Sequence, residues 1–194
     1  MNKIIKNTII LMLITLVAGI LLGFVYKITQ QPIQTAQEKA KKEAWKQVFP
    51  EADMSEFKSE PVDTEVSEAA AKELGIKAEV GEVCVVGDKG YIVTVTDKEG
   101  YGGDIKITVG ITTDGTVNGI SILSISETAG LGMKAKEPAF YEQYKGKQTE
   151  KFVVSKDGGD GEPIDALSGA TITSRAVTGA VNEALAYYQN VFGR

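Results

Sequence analysis

The sequence predicts an α+β domain that follows a single N-terminal transmembrane helix. Two patterns lead to this prediction. Positions 8–26 form a run of 19 uncharged and mostly apolar residues. Near the middle of the chain, apolar and polar side chains alternate with the period of a half-buried strand. Helix-like segments precede and follow this region, which favours an antiparallel sheet flanked by helices.

The apolar run is long enough to cross a bilayer, because a spanning helix needs about 20 such residues. It is longer than the apolar core of a cleaved signal peptide, and no small-residue cleavage site follows it. We therefore expect an uncleaved anchor at residues 8–26. Lys3 and Lys6 precede the anchor, so the positive-inside rule assigns residues 1–7 to the cytoplasm. The predicted protein is a single-pass protein of the cell membrane whose main domain is extracytoplasmic.

The segment after the anchor is helix-like and mostly polar, and it ends at Pro50. We assign residues 27–50 to a stalk helix and residues 51–194 to the main domain. The main domain is expected to begin with a loop up to residue 62. A short helix over residues 63–74 should follow and stop at Gly75.

An antiparallel sheet of at least four strands is predicted next. Its strands are residues 81–86, 91–96, 105–111 and 117–125. In the third strand, apolar residues alternate strictly with Lys106, Thr108 and Gly110, as expected for a half-buried strand. Asp114 and Gly115 then form a strong hairpin signal.

An amphipathic helix is predicted over residues 175–192, where apolar side chains recur along one face. Thr173 or Ser174 is expected to cap its N-terminus, which leaves Thr171 two or three residues ahead of the helix. The segments expected between the sheet and this helix are a helix over 138–144, a short strand near 152–154 and a glycine-rich loop.

Composition excludes several kinds of site. The chain has no histidine, which excludes Ser-His-Asp and Cys-His catalysis and histidine-ligated zinc or haem. The single cysteine, Cys84, cannot form an internal disulfide or hold an iron–sulfur cluster, and its apolar neighbours predict a buried thiol. We expect no metal site, so a redox function would need a bound cofactor. All acidic residues follow the anchor and the net charge is −5, which argues against binding to nucleic acid.

The segment DALSGATITS, residues 165–174, concentrates hydroxyl groups and small residues just before the last helix. Its residues alone allow a simple turn into a capped helix, or a phosphate site at a helix N-terminus. Its first seven residues match the pattern Asp-x-x-Ser/Thr-Gly-Ala-Thr, and here the chain resembles the FMN-binding domain family, whose flavinylation motif this is. The resemblance implies that a flavin transferase attaches FMN to Thr171 through a phosphoester bond outside the cytoplasm. For Asp165 the resemblance allows two roles: recognition by the transferase, or binding of the metal of the transferase.

A second segment, SETAGLG at residues 126–132, is similar to the Glu-Thr-Pro-Gly-x-Gly loop of the same family, with Ala129 at the usual proline position. The resemblance implies that this loop helps to shape the flavin pocket. The cofactor-binding residues it implies beside Thr171 are Ser168, Gly169, Ala170, Ile172 and Thr173 from the first segment, and Glu127, Thr128, Gly130, Leu131 and Gly132 from the second.

The order of anchor, stalk and outer FMN-binding domain resembles the G subunit of the Rnf ion-translocating electron-transport complex over essentially the whole chain. The resemblance implies an electron-carrying subunit, without a catalytic site of its own, that works with other membrane subunits. It also implies that the complex couples electron transfer from ferredoxin to NAD with translocation of Na⁺ or H⁺. One alternative is the C subunit of the Na⁺-translocating NADH:quinone reductase, which is usually longer. The other is a tethered binding or sensor module in which residues 168–171 are only a turn.

Overall fold

The computed structural model describes residues 2–193, which divide into two compact units on either side of the Ala40–Lys41 bond. Helix α1 spans Lys3–Val48. By length and composition it can cross a membrane, with a mean hydropathy of 2.8 in its most apolar 18-residue window. This helix fits a single-pass membrane protein. The second unit begins within the last turns of α1.

The second unit contains a five-stranded antiparallel sheet whose strands lie in chain order. The strands are β1 Phe57–Glu60, β2 Ala78–Val86, β3 Gly90–Asp97, β4 Ile105–Thr112 and β5 Val117–Ser124. The sheet confirms the predicted α+β class. The expected loop at residues 51–62 contains β1, which lacks an alternating pattern and gains its strand conformation by pairing with β2 at the edge of the sheet.

The remaining elements surround this sheet. They are α2 Thr64–Leu74, α3 Pro138–Tyr141, β6 Phe152–Val154, β7 Glu162–Ile164 and α4 Thr171–Val191. The short helix predicted before the sheet is confirmed: the Asp63 carboxylate accepts a hydrogen bond from Val66 N–H, and α2 ends at Gly75 with φ +69°. The helix predicted over 138–144 is one α-helical turn followed by a 3₁₀ turn. Strand β7 lies in the predicted glycine-rich loop and pairs in parallel with β6.

Helix α4 covers one face of the sheet. Three side chains of its apolar stripe, Val177, Val181 and Leu185, are fully buried. These side chains belong to one core cluster with the inward-facing side chains of β3 and β4, among them Val95 and Ile107. Burial of apolar side chains of this size contributes roughly 1.5–3 kcal/mol each relative to exposure. The same helix therefore holds the sheet and carries, at its N-terminus, the segment singled out in the sequence.

The C-terminal end of α1 covers part of the opposite face. Side chains of its last turn and of the residues just after it form a second cluster with the outer face of the sheet, composed of Trp45, Val48, Phe49, Ala52, Cys84, Val86 and Ile92. The prediction of a buried thiol is confirmed, and burial raises the pKa of Cys84 to about 11. The thiol is therefore protonated at neutral pH and unreactive.

The prediction that β4 is half-buried is wrong, because α1 covers the face that was expected to be exposed. A Cβ added at Gly110 would lie 2.8 Å from Val48 Cβ, so the end of the helix packs directly on the backbone of β4. Thr108 is also buried, and its Oγ1 lies 3.2 Å from Thr94 Oγ1. Of the three polar or small positions in the pattern, Lys106 is the one that stays exposed.

One buried carboxyl group lies between α4 and α2. Glu183 is fully buried, and its Oε1 accepts a hydrogen bond of 3.0 Å from Ser67 Oγ. Among residues 2–193, its Oε2 has no hydrogen-bond partner. Burial disfavours the charged form and raises the pKa of Glu183 to about 7, against the opposing effect of the Ser67 hydrogen bond.

This arrangement predicts that Glu183→Gln stabilises the protein at alkaline pH. A carboxyl group whose pKa is raised on folding binds its proton more tightly in the folded state, so stability falls as pH rises from about 4.5 towards 7. Glutamine removes this loss and keeps an acceptor for Ser67. We expect urea unfolding of the detergent-solubilised chain at pH 8 to show a gain of roughly 1–3 kcal/mol for the variant.

The gain should vanish towards pH 4. Asp97, whose pKa burial raises to about 6, is present in both proteins, so its titration cancels in the comparison. A stability difference that does not change with pH would contradict the assignment to Glu183.

Candidate functional site: a cleft at the N-terminus of α4

Two segments that are far apart in the sequence meet at one cleft. One is the turn that leads into α4 together with the first turn of that helix, and the other is the loop after β5. The cleft has a volume of about 600 Å³, within the range of roughly 300–1,000 Å³ that is usual for ligand and cofactor sites. It is lined by Tyr101, Glu127, Thr128, Leu131, Gly132, Lys156, Gly169, Ala170, Thr171, Ile172 and Thr173.

The cleft brings together nine of the eleven residues singled out in the sequence. The other two, Ser168 and Gly130, do not line it. Ser168 is exposed in the turn before α4, and Gly130 has φ +77° in the turn of its loop. Tyr101 and Lys156 line the cleft without having been predicted.

The topology of the sheet explains why the segment that carries Tyr101 meets the loop after β5. Strands β4 and β5 are antiparallel neighbours, and Lys106 near the start of β4 lies opposite Ser124 at the end of β5. The chain segment before β4 and the loop after β5 therefore emerge at the same end of the sheet.

Glycine allows the loop and the helix to approach closely. A Cβ added at Gly132 would lie 2.6 Å from Thr173 Oγ1 and 2.8 Å from Glu127 Cβ. Such distances are below van der Waals contact, so a side chain at this position would push the loop away from α4. Gly169 has φ +75°, a backbone conformation that favours glycine. A Cβ added at Gly169 would lie 3.1 Å from Leu131 Cδ2.

The first turn of α4 differs from the predicted one. The helix begins at Thr171 with Ala170 as its N-cap residue, and Ser174 N–H donates to Ala170 O at 3.0 Å. The prediction that Thr173 or Ser174 caps the helix is therefore wrong. Instead, Ser174 Oγ accepts from Leu167 N–H and donates to Ala170 O, which ties the preceding turn to the helix.

The new start of the helix places Thr171 at the first helical position. The first N–H groups of any helix lack acceptors within the helix, and the aligned peptide dipoles give that end a partial positive charge. Ala170 has no side-chain oxygen to satisfy these groups. Because Thr171, Ile172 and Thr173 all line the cleft, this end of the cleft is suited to an anion such as a phosphate.

Glu127 holds a second loop at the cleft. Its side chain is buried, and its Oε1 accepts a hydrogen bond of 3.2 Å from Gly102 N–H. Gly100 approaches the same carboxylate, since a Cβ there would lie 3.0 Å from Glu127 Oε1. These contacts fix the loop between β3 and β4 and present Tyr101, which is 71% exposed, at the edge of the cleft.

The wall of the cleft is largely apolar, and two of its threonines differ in how far they are exposed. Leu131 and Ile172 are 42% and 47% exposed, and both line the cleft, as does Tyr101. Thr173 is 1% exposed with its hydroxyl against Gly132, whereas Thr171 is half-buried at the cleft surface. Within residues 2–193, no group of three or more Cys, Asp and Glu side chains could hold a metal ion. The cleft therefore combines exposed apolar side chains with a helix N-terminus that can hold an anion.

Comparisons with known proteins identify both parts of the chain. Residues 100–186 match the FMN-binding domain family, and residues 1–48 match the RnfG N-terminal region. The chain is 32% identical to the G subunit of the Na⁺-translocating ferredoxin:NAD⁺ oxidoreductase complex of Acetobacterium woodii, an alignment that covers 96% of this chain and 92% of that protein. The chain belongs to the family of Rnf G subunits.

Two further proteins are similar over part of the chain. The G subunit of the proton-translocating ferredoxin:NAD⁺ oxidoreductase complex of Clostridium ljungdahlii is 45% identical over 49% of this chain and 51% of its own length. Among solved structures, NqrC of Shewanella oneidensis aligns with a TM-score of 0.48 and 25% identity over 70% of this chain and 67% of that one. Every residue that lines the cleft falls within the segment that matches the FMN-binding domain family.

As a member of the Rnf G family, the chain is a flavoprotein-type subunit of a membrane-associated redox complex. The predicted resemblance to Rnf G subunits is confirmed by the match over nearly the full length. The alternative of a quinone-reductase C subunit is not favoured, because the N-terminal region matches that of Rnf G.

Proposed function

We propose that the protein relays electrons through FMN that is attached to Thr171 by a phosphoester bond. The observation that carries this proposal is the position of Thr171, the first residue of α4, on the surface of a cleft within the FMN-binding segment. A phosphate on Thr171 Oγ1 would lie at the helix N-terminus, where free N–H groups and the helix dipole stabilise negative charge.

The residues of the cleft suit the rest of the FMN molecule. Tyr101, Leu131 and Ile172 offer apolar surface for the ring system, and their contacts would exclude water from it. FMN supplies the electron-transfer chemistry when bound. Glu127 already accepts a hydrogen bond from Gly102, so its role is to hold the wall of the cleft. The role of this chain is to bind and orient the cofactor.

Thr171 is favoured over Thr173 as the attachment site because of access. The hydroxyl of Thr173 is enclosed by the contact with Gly132, and an incoming phosphate would have to displace the loop. Thr171 lies two residues before Thr173 and is half-buried. Residues Gly169 and Ala170 add little bulk in front of it.

We further propose that the protein works in a complex that couples electron transfer from ferredoxin to NAD with movement of Na⁺ or H⁺. Relatives with either coupling ion are similar to this chain. The apolar run of α1 carries no charged side chain between Thr8 and Tyr26. Ion pathways through membranes use charged or polar groups inside the spanning segments, so we assign the pathway to partner proteins of the complex.

The orientation in the membrane is part of this proposal. Lys3 and Lys6 precede the apolar run, so the N-terminus is assigned to the cytoplasm and the FMN domain to the outside, where a flavin transferase would attach FMN. We expect a protease added to intact spheroplasts to digest the FMN domain while a cytoplasmic marker protein survives. If the domain is protected until the membrane is permeabilised, the orientation is the opposite of the one proposed.

Substitution of Thr171 tests the attachment site. We expect the wild-type chain, co-expressed with a flavin transferase and extracted in detergent, to gain the mass of one FMN less one water on the peptide that contains residue 171. Thr171→Val should lose this mass and the flavin fluorescence of the denatured protein band, because the accepting oxygen is absent.

The matched variant Thr173→Val should keep the modification. Loss of FMN from Thr173→Val together with retention in Thr171→Val would show that the acceptor is Thr173. A wild-type chain that stays unmodified beside an active transferase would instead support the binding or sensor module.

A further inference from the structure

The short segment that carries Lys156 is fixed on one side by the turn before α4. Ser155 N–H donates to Ile164 O at 2.9 Å, which continues the pairing of β6 with β7. Ser155 Oγ lies 2.7 Å from Ile164 O and 2.8 Å from Asp165 Oδ1, and its proton can be donated to either oxygen. The first residue of the DALSGAT motif therefore contacts the residue next to Lys156.

The other side of the segment is fixed by α4 itself. Arg175 Nε donates to Asp157 Oδ2 at 2.8 Å, and Arg175 Nη2 forms a second bond to Asp157 Oδ1. The adjacent guanidinium lowers the pKa of Asp157. Such a two-bond contact fixes orientation as well as distance. Arg175 lies one helical turn after Thr171, so the segment is anchored to the same helix that bears the proposed attachment site.

Lys156 lies between these two anchors and faces the cleft. Its side chain lines the cleft together with Thr171. In the part of the chain that the structure describes, no ion pair or hydrogen bond of the Lys156 ammonium is found. Among the lining residues Glu127 is acidic; its Oε1 accepts a hydrogen bond from Gly102 N–H, and no ion pair joins it to Lys156. The lining that contains Thr171 therefore includes an exposed cation for which no partner is found among the described residues.

We propose that Lys156 binds the phosphate of the flavin nucleotide and neutralises the negative charge that this phosphate keeps after it is joined to Thr171. The proposal rests on the function proposed above. The chain has a net charge of −5, which disfavours the approach of an anion unless a local cation compensates. The helix N-terminus offers N–H donors from one side, and Lys156 offers a full charge from the loop. Ser155, Asp157 and Arg175 act as positioning residues for Lys156.

The rate of FMN attachment is the first readout of this proposal. The full-length chain is co-expressed with a limiting amount of flavin transferase, and the modified fraction is followed by intact mass spectrometry. We expect Lys156→Met, which keeps the length of the side chain and removes the charge, to slow attachment about tenfold or more. Lys156→Arg should recover the rate to within about threefold, because it restores the charge.

Lys151→Met is the matched control. Lys151 is an exposed lysine a few residues earlier that lines a different cleft, so its loss should leave the rate unchanged. Equal midpoints of thermal unfolding for both methionine variants would exclude a general loss of structure.

The ³¹P NMR resonance of the attached FMN is the second readout. It distinguishes a contact between Lys156 and the phosphate from a contact between Lys156 and the transferase. After prolonged co-expression, we expect the ³¹P resonance of loaded Lys156→Met to be displaced from that of the loaded wild-type chain, and that of Lys151→Met to coincide with it. Slow attachment with an unchanged resonance would overturn the proposal, as would a wild-type rate in Lys156→Met. If Thr171→Val still acquires FMN, the function proposed above fails, whatever the outcome at Lys156.

Discussion

The packing of Gly132 against the first turn of α4 is the contact on which the site depends. The loop after β5 can reach the helix because no side chain stands between Gly132, Thr173 and the stem of Glu127. This contact encloses one threonine and leaves Thr171, two residues earlier, at the surface of the cleft. It also keeps the Glu127 carboxylate in position to hold the loop that carries Tyr101. Two walls of the cleft therefore depend on one close approach.

The remainder of the fold keeps α4 and the sheet in a fixed relation. Most of the apolar stripe of α4 is buried in one core cluster with β3 and β4, which holds α4 in place on the sheet. On the opposite face, the end of α1 packs on the backbone of β4 at Gly110. The helix that can span the membrane thus contributes its last turns to the core of the second unit. The sheet that supports the cleft is thus packed on one face by α4 and on part of the other by the end of α1.

Much of this organisation could be predicted from patterns that are local in the sequence. The alternation along β4, the Asp114-Gly115 hairpin and the apolar stripe of α4 each depend on residues that are close in the chain. The start of α4 was misplaced because Thr173 and Ser174 have the side chains of capping residues, while Ser174 in fact bonds the preceding turn. The burial of the second face of β4 could not be predicted from its own pattern, because α1, which covers that face, is distant in sequence.

Prediction of the site was limited in the same way. The DALSGATITS segment is continuous, so its residues could be singled out together. Tyr101 could not be found by the same means, because the contact that places it joins Gly102 to Glu127 across 25 positions. Lys156 lies in a segment whose glycines predict only a loop, and its position depends on the contacts of Asp157 with Arg175 and of Ser155 with Asp165.

An experimental structure of the FMN-loaded protein tests the central claim most directly. The account predicts a phosphorus atom covalently bound to Thr171 Oγ1 at the N-terminus of α4, with the ring system in the cleft against Tyr101 and Leu131. A phosphate bonded to another residue, or a ring that lies outside this cleft, would contradict it.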